Sequence, residues 1–310
     1  GCTYEQNHPY HQRRRGGDLV SVRESSRAGT FVFRIFNTFI MTVIVIATLY
    51  PFWYILVSSF SSISHIIGSQ IILWPDGIHL DAYRQIFRNN LIPNAYKITL
   101  IVTIGGTTLS MIMTILAAYV LSRKTLPGQK WLTMFAVFTM LFNGGLVPTY
   151  LLVNSLKMTN TLWALIFPGA LSTYNMVIMR NFFSGIPESL YEAAAIDGIS
   201  YTRYLTRILL PLSLPSLATI TLFYAVSYWN AYFNSVIYIR DSRLWPMQTL
   251  LRQILMANQY EMLFDDGGRS VASEMMKDAM IVLTAMPIIC VYPFLQKYFV
   301  KGVLVGSVKG

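Results

Sequence analysis

Apolar runs recur six times along the chain, roughly at 35–60, 98–122, 131–154, 161–179, 212–238 and 279–296. Each approaches the ~20 residues needed to cross a bilayer, and none contains Asp, Glu, Lys, Arg or His. The third holds Asn143-Gly144-Gly145 and Pro148, which predicts a kinked or locally unwound span, tolerated where neighbouring protein or a cavity satisfies the freed backbone groups. The fifth opens with Pro211 and Pro215, residues that suit a first helical turn or a bend. Between the runs, Leu80 to Phe87 place apolar side chains at helical spacing and predict a short helix at the interface. Residues 239–275 mix Trp245, Met247, Leu250, Leu251 and Ile254 with charges before a turn at Asp265-Asp266-Gly267-Gly268. Both segments either pack on the outer surface of the membrane region or meet an external partner. The pattern as a whole predicts an all-α membrane protein with six transmembrane helices.

Composition removes the soluble alternatives. Apolar residues make up 54% of the 310 and charged residues 12%, about half the charged share of an average soluble chain. The mean hydropathy is +0.47, which excludes disorder, collagen and coiled coil. A net charge of +10 suits nucleic acid or the basic cytoplasmic loops of a membrane protein; the hydropathy selects the second, so no nucleic-acid partner is expected. Fifteen Lys and Arg fall in the N-terminal tail, the 123–130 and 180–210 loops and the C-terminal end, against nine on the other side. Both termini are therefore expected in the cytoplasm. The boundaries that follow are a basic N-terminal tail over 1–33, a six-helix membrane domain over 34–300 and a C-terminal tail over 301–310. A cytoplasmic loop at 184–211 and an external loop at 239–275 belong to the membrane domain. Cys2 and Cys290 offer neither a disulfide framework nor metal spacing.

Uncharged spans argue against proton relays, voltage sensors and intramembrane metal chemistry. The four histidines (His8, His11, His65, His79) lie in tails or loops, and no G-x-x-x-x-G-K-[ST] phosphate loop occurs. No enzyme activity, metal or cofactor is expected on this chain. The polar residues within the spans include Asn143, Thr149, Ser227, Asn230 and Asn234. In the fifth span Tyr224, Tyr228 and Tyr232 form a row at four-residue spacing, beside Ser227, Asn230 and Asn234, with Trp229 nearby. Rings flanked by amides and hydroxyls suit a sugar, which makes Asn143, Tyr224, Tyr228, Trp229, Asn230 and Asn234 the candidate solute path. The same residues also suit helix-to-helix packing or an interfacial belt.

Pro187 to Gly198 reads as a helix of about 16 Å, too short and too polar to span, with Pro187 at its start and Gly198 in the left-handed position at its end. Leu190, Ala193, Ala194 and Asp197 share one side, where the alanines leave a low surface for a partner. A second helical piece, Tyr201 to Leu210, leads into the fifth span.

Glu192-Ala193-Ala194, three residues, Gly198, nine residues and then Ile208-x-Leu210-Pro211 resembles the EAA signature of the membrane subunits of ATP-binding-cassette importers. Seven such letters match by chance in a chain this long only about a few times in a million. Ala118-Tyr119-x-Leu121-Ser122-Arg123 before Leu126-Pro127-Gly128, and Lys301-Gly302 with Val308-Lys309-Gly310, resemble the maltose-permease-like carbohydrate branch. Asn143 to Tyr150 resembles its complex-oligosaccharide members. The likeness covers about residues 30–310. It implies the type I importer fold, a multi-pass place in the bacterial plasma (inner) membrane, and oligosaccharide uptake. It also implies a second permease, a dimer of ATPase subunits that holds the ATP and magnesium, and an external solute-binding protein, beside membrane lipid. Glu192, Ala193, Ala194, Gly198, Ile208, Leu210 and Pro211 would couple to the ATPase, and Val308, Lys309 and Gly310 would reach its interface. The bottom-up alternatives are an importer for another polar solute, such as a polyamine or amino acid, and a membrane scaffold or enzyme without transport.

Overall fold

The computed structural model describes residues 27–62, 65, 73–88, 90–142, 144–262, 275–291 and 293. Among them every regular element is helical. Two helices are long and apolar enough to span a membrane alone: α1 (Arg27–Phe60) over Phe33–Phe60, and Leu91–Ser122. The chain divides into two units, residues 1–52 and 53–310. Within the first, α1 exposes Phe31, Phe33, Phe36, Phe39 and Leu49 on all sides. A helix apolar all round belongs in lipid or against another membrane chain.

In the second unit, the end of α1 is anchored from outside. Trp53 Nε1 donates to Leu73 O at 2.8 Å, Tyr83 OH donates to Ser59 Oγ at 2.9 Å, and Phe60 stacks on Tyr83. The predicted interfacial helix is α2 (Asp81–Arg88), which buries Ala82 and Ile86. The central rod is α3 (Leu91–Ser122), 32 residues without a break. Its buried side is small and hydroxylated, with Thr99, Gly106, Ser110, Thr114 and Ala118, the composition that lets membrane helices approach closely.

The third apolar run breaks as expected, into α4 (Gln129–Leu141) and α5 (Leu146–Ser155) at 109°, with Gly145 at φ +88°. The fourth run is not one helix. It becomes α6 (Trp163–Ile166), a 3₁₀ turn over Phe167–Gly169, and α7 (Thr173–Ser184). Pro168 and Gly169 interrupt the ladder, and Ser172 restarts it by capping Asn175 N. After α8 (Glu188–Ile196) comes α9 (Tyr201–Leu212), which contains a π-helical turn over Leu205–Leu209. It meets α10 (Leu214–Trp229) at 86°. Pro211 and Pro215 each withhold an N–H here, and buried Ser213 donates its hydroxyl to Leu209 O at 2.7 Å. The fifth run then stops at Trp229, and α11 (Phe233–Tyr238), α12 (Met247–Met262) and α13 (residues 275–291) follow. The six spans expected from hydropathy, the third of them kinked, thus appear, among the described residues, as two long helices and two bent pairs, beside shorter pieces.

The main core gathers α3, α7, α9 and α10 around Val102, Ala118, Met179, Leu209 and Ile220. A second core joins α2, α12 and α13 to the start of α3 through Ile86, Ile92, Met247 and Met280.

Candidate functional site

The interruption at 167–172 exposes Phe167, Pro168, Gly169 and Leu171, but it is flanked by buried Ile166 and half-buried Ser172, whose free peptide groups are costly away from water. Two tyrosines of α10 complete it. Tyr228 OH donates to Ile166 O at 3.0 Å, and Tyr224 OH accepts from Ser172 N at 3.0 Å. Both hydroxyls are held from the opposite side by α3, Tyr228 with Ser110 Oγ at 2.9 Å and Tyr224 with Thr114 Oγ1 at 2.7 Å. Because the proton of Tyr228 goes to a carbonyl, Ser110 is the donor in its pair. The Tyr228 ring fits only because residue 106 is glycine: a Cβ there would meet it at 2.7 Å.

Beside the interruption lies a cavity of about 560 Å³, within the usual ~300–1,000 Å³ of small-molecule sites. Tyr174, Asn175, Ser227 and Asn234 line it together with the faces of Tyr224 and Tyr228. Among the described residues none of its walls is charged.

The candidate solute residues therefore part company. Tyr224, Tyr228 and Asn234 share this cavity, the two tyrosines with their hydroxyls committed to the scaffold. Asn230 is exposed, and its Oδ1 accepts from Gln248 Nε2 at 3.2 Å. Trp229 is buried elsewhere, donating to Thr284 O at 3.1 Å and meeting Tyr96 edge-on. Tyr232 stands past the end of α10, under the Arg252 guanidinium at 4.3 Å. Asn143 lies outside the described residues, as do Val308, Lys309 and Gly310. Sequence reading missed Tyr174 and Asn175. An amide within the fourth apolar run was the available signal for Asn175, the same one that singled out Asn230.

At the 184–211 loop, α8 ends as its sequence predicts. Gly198 has φ +70°, Gly198 N donates to Ala195 O, and Ile199 N donates to Ala194 O at 2.9 Å. This is a Schellman cap, with Ile199 folded back over the helix end. The cap decides which alanine faces out. Ala194 is buried with Ile199 against the main core, so the low surface expected from both alanines is carried by Ala193 alone. Glu192, Ala193 and Ile196 are exposed, Ile196 at 87%. Ile208 and Leu210 pack on the core and Pro211 is exposed. A cluster of tyrosines, Tyr191, Tyr201 and Tyr204, closes the inner side of α8. The side-chain hydrogen bond with Tyr201 pushes the Tyr191 phenol above its ordinary range.

Comparison with known proteins places this geometry. Residues 110–305, which hold the cavity and the capped loop helix, match the family described as binding-protein-dependent transport system inner membrane component. The polygalacturonan/rhamnogalacturonan transport system permease protein YtcP of Bacillus subtilis is 44% identical over 263 residues, 84% of this chain and 92% of its own. Protein LplC of Bacillus subtilis is 38% identical over 293 residues, covering 94% and 99%. Among solved structures, a bacterial ABC transporter involved in the import of the acidic polysaccharide alginate shares 31% identity, with a TM-score of 0.81 over 88% of this chain and 98% of the matched one. A chain with this architecture, and with this signature spanning the capped loop helix, belongs to the inner membrane components of binding-protein-dependent transport systems.

Proposed function

We propose that this chain is one of two permeases in an ATP-driven importer of oligosaccharides, and that the solute passes the cavity beside the α6–α7 interruption. The cavity carries the proposal: rings, amides and hydroxyls around about 560 Å³ without a charge. Sugar C–H faces pack on aromatic rings while their hydroxyls take directed hydrogen bonds. A polyamine would need carboxylates, which are absent from the described lining. The polygalacturonan and alginate named for two relatives support a plant- or algal-type oligosaccharide, whose sugar rings suit this lining and whose carboxylates, in an acidic cargo, would meet their cations outside it. In this reading α1, α3, the two bent pairs, the α6–α7 segment and α13 make six crossings of the bacterial plasma membrane. Both termini then lie in the cytoplasm, as the Lys and Arg distribution favours.

The energy comes from ATP and magnesium on a separate ATPase dimer, and an external binding protein delivers the solute. The exposed side of α8, with Glu192, Ala193 and Ile196, docks into the ATPase, and Gly198, Ile208, Leu210 and Pro211 set its angle. Val308, Lys309 and Gly310 extend to the same interface. The test is co-expression with the neighbouring permease, ATPase and binding protein, followed by ATP-driven uptake of an oligosaccharide panel in proteoliposomes. Asn175→Ala and Asn234→Ala should change apparent affinity or selectivity while basal ATP hydrolysis stays unchanged. An ATPase that does not copurify, or unaltered uptake kinetics in both variants, overturns the reading.

A further inference from the structure

Arg123, the last letter of the Ala118-Tyr119-x-Leu121-Ser122-Arg123 segment, has no part in the solute path or the docking surface. Its environment is nevertheless specific. The guanidinium carbon lies 3.8 Å from the ring centroid of Tyr191 on α8, 4.8 Å from that of Tyr119 on α3 and 4.9 Å from that of Tyr204 on α9. Nη2 donates to Tyr119 OH at 2.8 Å, and that hydroxyl donates onward to Tyr201 O at 3.4 Å. Tyr191 stands edge-on to Tyr204 at 5.3 Å and stacks on Tyr201 at 6.1 Å. One planar cation is thus enclosed by rings from three helices, a geometry that suits arginine and not lysine.

The position of the clamp matters because of what surrounds it. Along the chain, α8 reaches the membrane core through α9, whose π-helical turn and 86° bend make it a jointed connection. In contrast, α3 is one unbroken helix. About 14 to 26 Å from Arg123, at 1.5 Å per residue, it presents Thr114, Ser110 and Gly106 to the tyrosines that complete the cavity wall. Leu121 O, at the same end, is also held by Arg180 Nε of α7 at 3.0 Å and by Gln129 Nε2 at 2.7 Å. The nearby Lys124–Glu188 pair at 3.5 Å is exposed on both sides and adds little of its own.

We propose that the stack of Arg123 on Tyr191 is a transmission element that makes α3 move with α8. The ATPase cycle then reaches the cavity wall through a rigid rod of packed side chains, and not only through the jointed connection. Arg123 and Tyr191 are positioning residues, and the inference rests on the transport reading above.

The experiment uses the full complex in proteoliposomes, measuring ATP hydrolysed per solute taken up alongside the yield of assembled complex. Tyr191→Phe and Tyr191→Trp keep a ring and should keep the wild-type ratio. Tyr191→Leu and Arg123→Gln should assemble yet raise hydrolysis per solute by about threefold or more, the low end of the range for residues that carry coupling. Arg123→Lys keeps the charge without the planar stack and should fall between; it carries the same expectation if either stronger variant fails to assemble. A Tyr191→Leu complex with the wild-type ratio overturns the clamp, and so does a Tyr191→Phe complex as uncoupled as Tyr191→Leu. A wild-type complex without ATP-driven uptake overturns the transport reading itself.

Discussion

The α6–α7 interruption and the α8 loop solve opposite problems with the same kind of material. At the two ends of the interruption, backbone groups lose their helical partners and the chain supplies replacements: Tyr228 for Ile166 O and Tyr224 for Ser172 N, each backed by a hydroxyl of α3. At α8, apolar side chains are left outside, Ile196 at 87% exposure and Leu190 at 41%, and the described residues do not cover them. The first region is complete in one polypeptide. The second leaves a face free for the ATPase in the reading proposed above, because a short helix held at both ends by a proline and a Schellman cap does not need its exposed face for its own stability.

That contrast can be broken most forcefully at the two glycines. Gly106→Leu drives a side chain into the Tyr228 ring, and overpacking of this kind costs about 1–3 kcal/mol or more; the thermal midpoint of the purified chain in detergent should fall and transport should be lost. Gly198→Val meets no atom within 4 Å and carries only the strain of φ +70°, about 1–3 kcal/mol. Insertion should survive there and the thermal midpoint should fall less than in Gly106→Leu, because the strain sits at the exposed end of α8, while ATPase-coupled uptake collapses. Equal melting losses in the two variants would erase the distinction.

A finer version compares hydroxyls. Tyr228→Phe strands both Ile166 O and Ser110 Oγ in the interior, for which ~1–3 kcal/mol is typical. Tyr224→Phe strands buried Thr114 Oγ1 and also Ser172 N, but Ser172 N lies beside the cavity, where water can replace the lost oxygen, so its loss in the same melting assay should be smaller. Next, Ile196→Ser should leave the melting curve within about 0.5 kcal/mol of wild type, as exposed positions do, and weaken ATPase recovery in a pull-down.

The smallest effect concerns the segment between α1 and α2. Two bonds from Ser62, side chain and backbone, hold the Asp76 carboxyl below its ordinary value. A depressed folded value means the carboxylate adds stability above the unfolded value of about 3.9, lost as pH falls through the lower folded value. Limited proteolysis of residues 62–79 should therefore be flat from neutral pH down to about pH 4 and accelerate only below it, and Asp76→Asn should remove that acid step.

Much of this was readable from residues whose effect is local. Asn143-Gly144-Gly145 with Pro148 announces the α4–α5 break, Pro211 with Pro215 the bend before α10, and Pro187 with Gly198 the two ends of α8. Such residues act on their own backbone and need no knowledge of the rest of the fold. What escaped depended on an opposing surface. Spacing put Tyr224 and Tyr228 on one side of a helix but could not say that Gly106, Ser110 and Thr114 lay across from them. Ala194 shares a face with Ala193 by periodicity, yet the cap folds Ile199 onto it and turns it inward. The stop at Trp229 has neither proline nor glycine to mark it, and the break at Pro168-Gly169 was hidden by the length of the apolar run around it.

The tyrosine brackets also bear on how this cavity would be redesigned. If the solute takes the path proposed above, Tyr224 and Tyr228 invite substitution by anyone wishing to change the cargo, since both rings line the cavity. Their hydroxyls, however, hold together the very wall that the new cargo would have to pass. Retargeting should begin with Tyr174, Asn175 and Ser227, which line the same space, and treat the bracketed pair as framework to be kept.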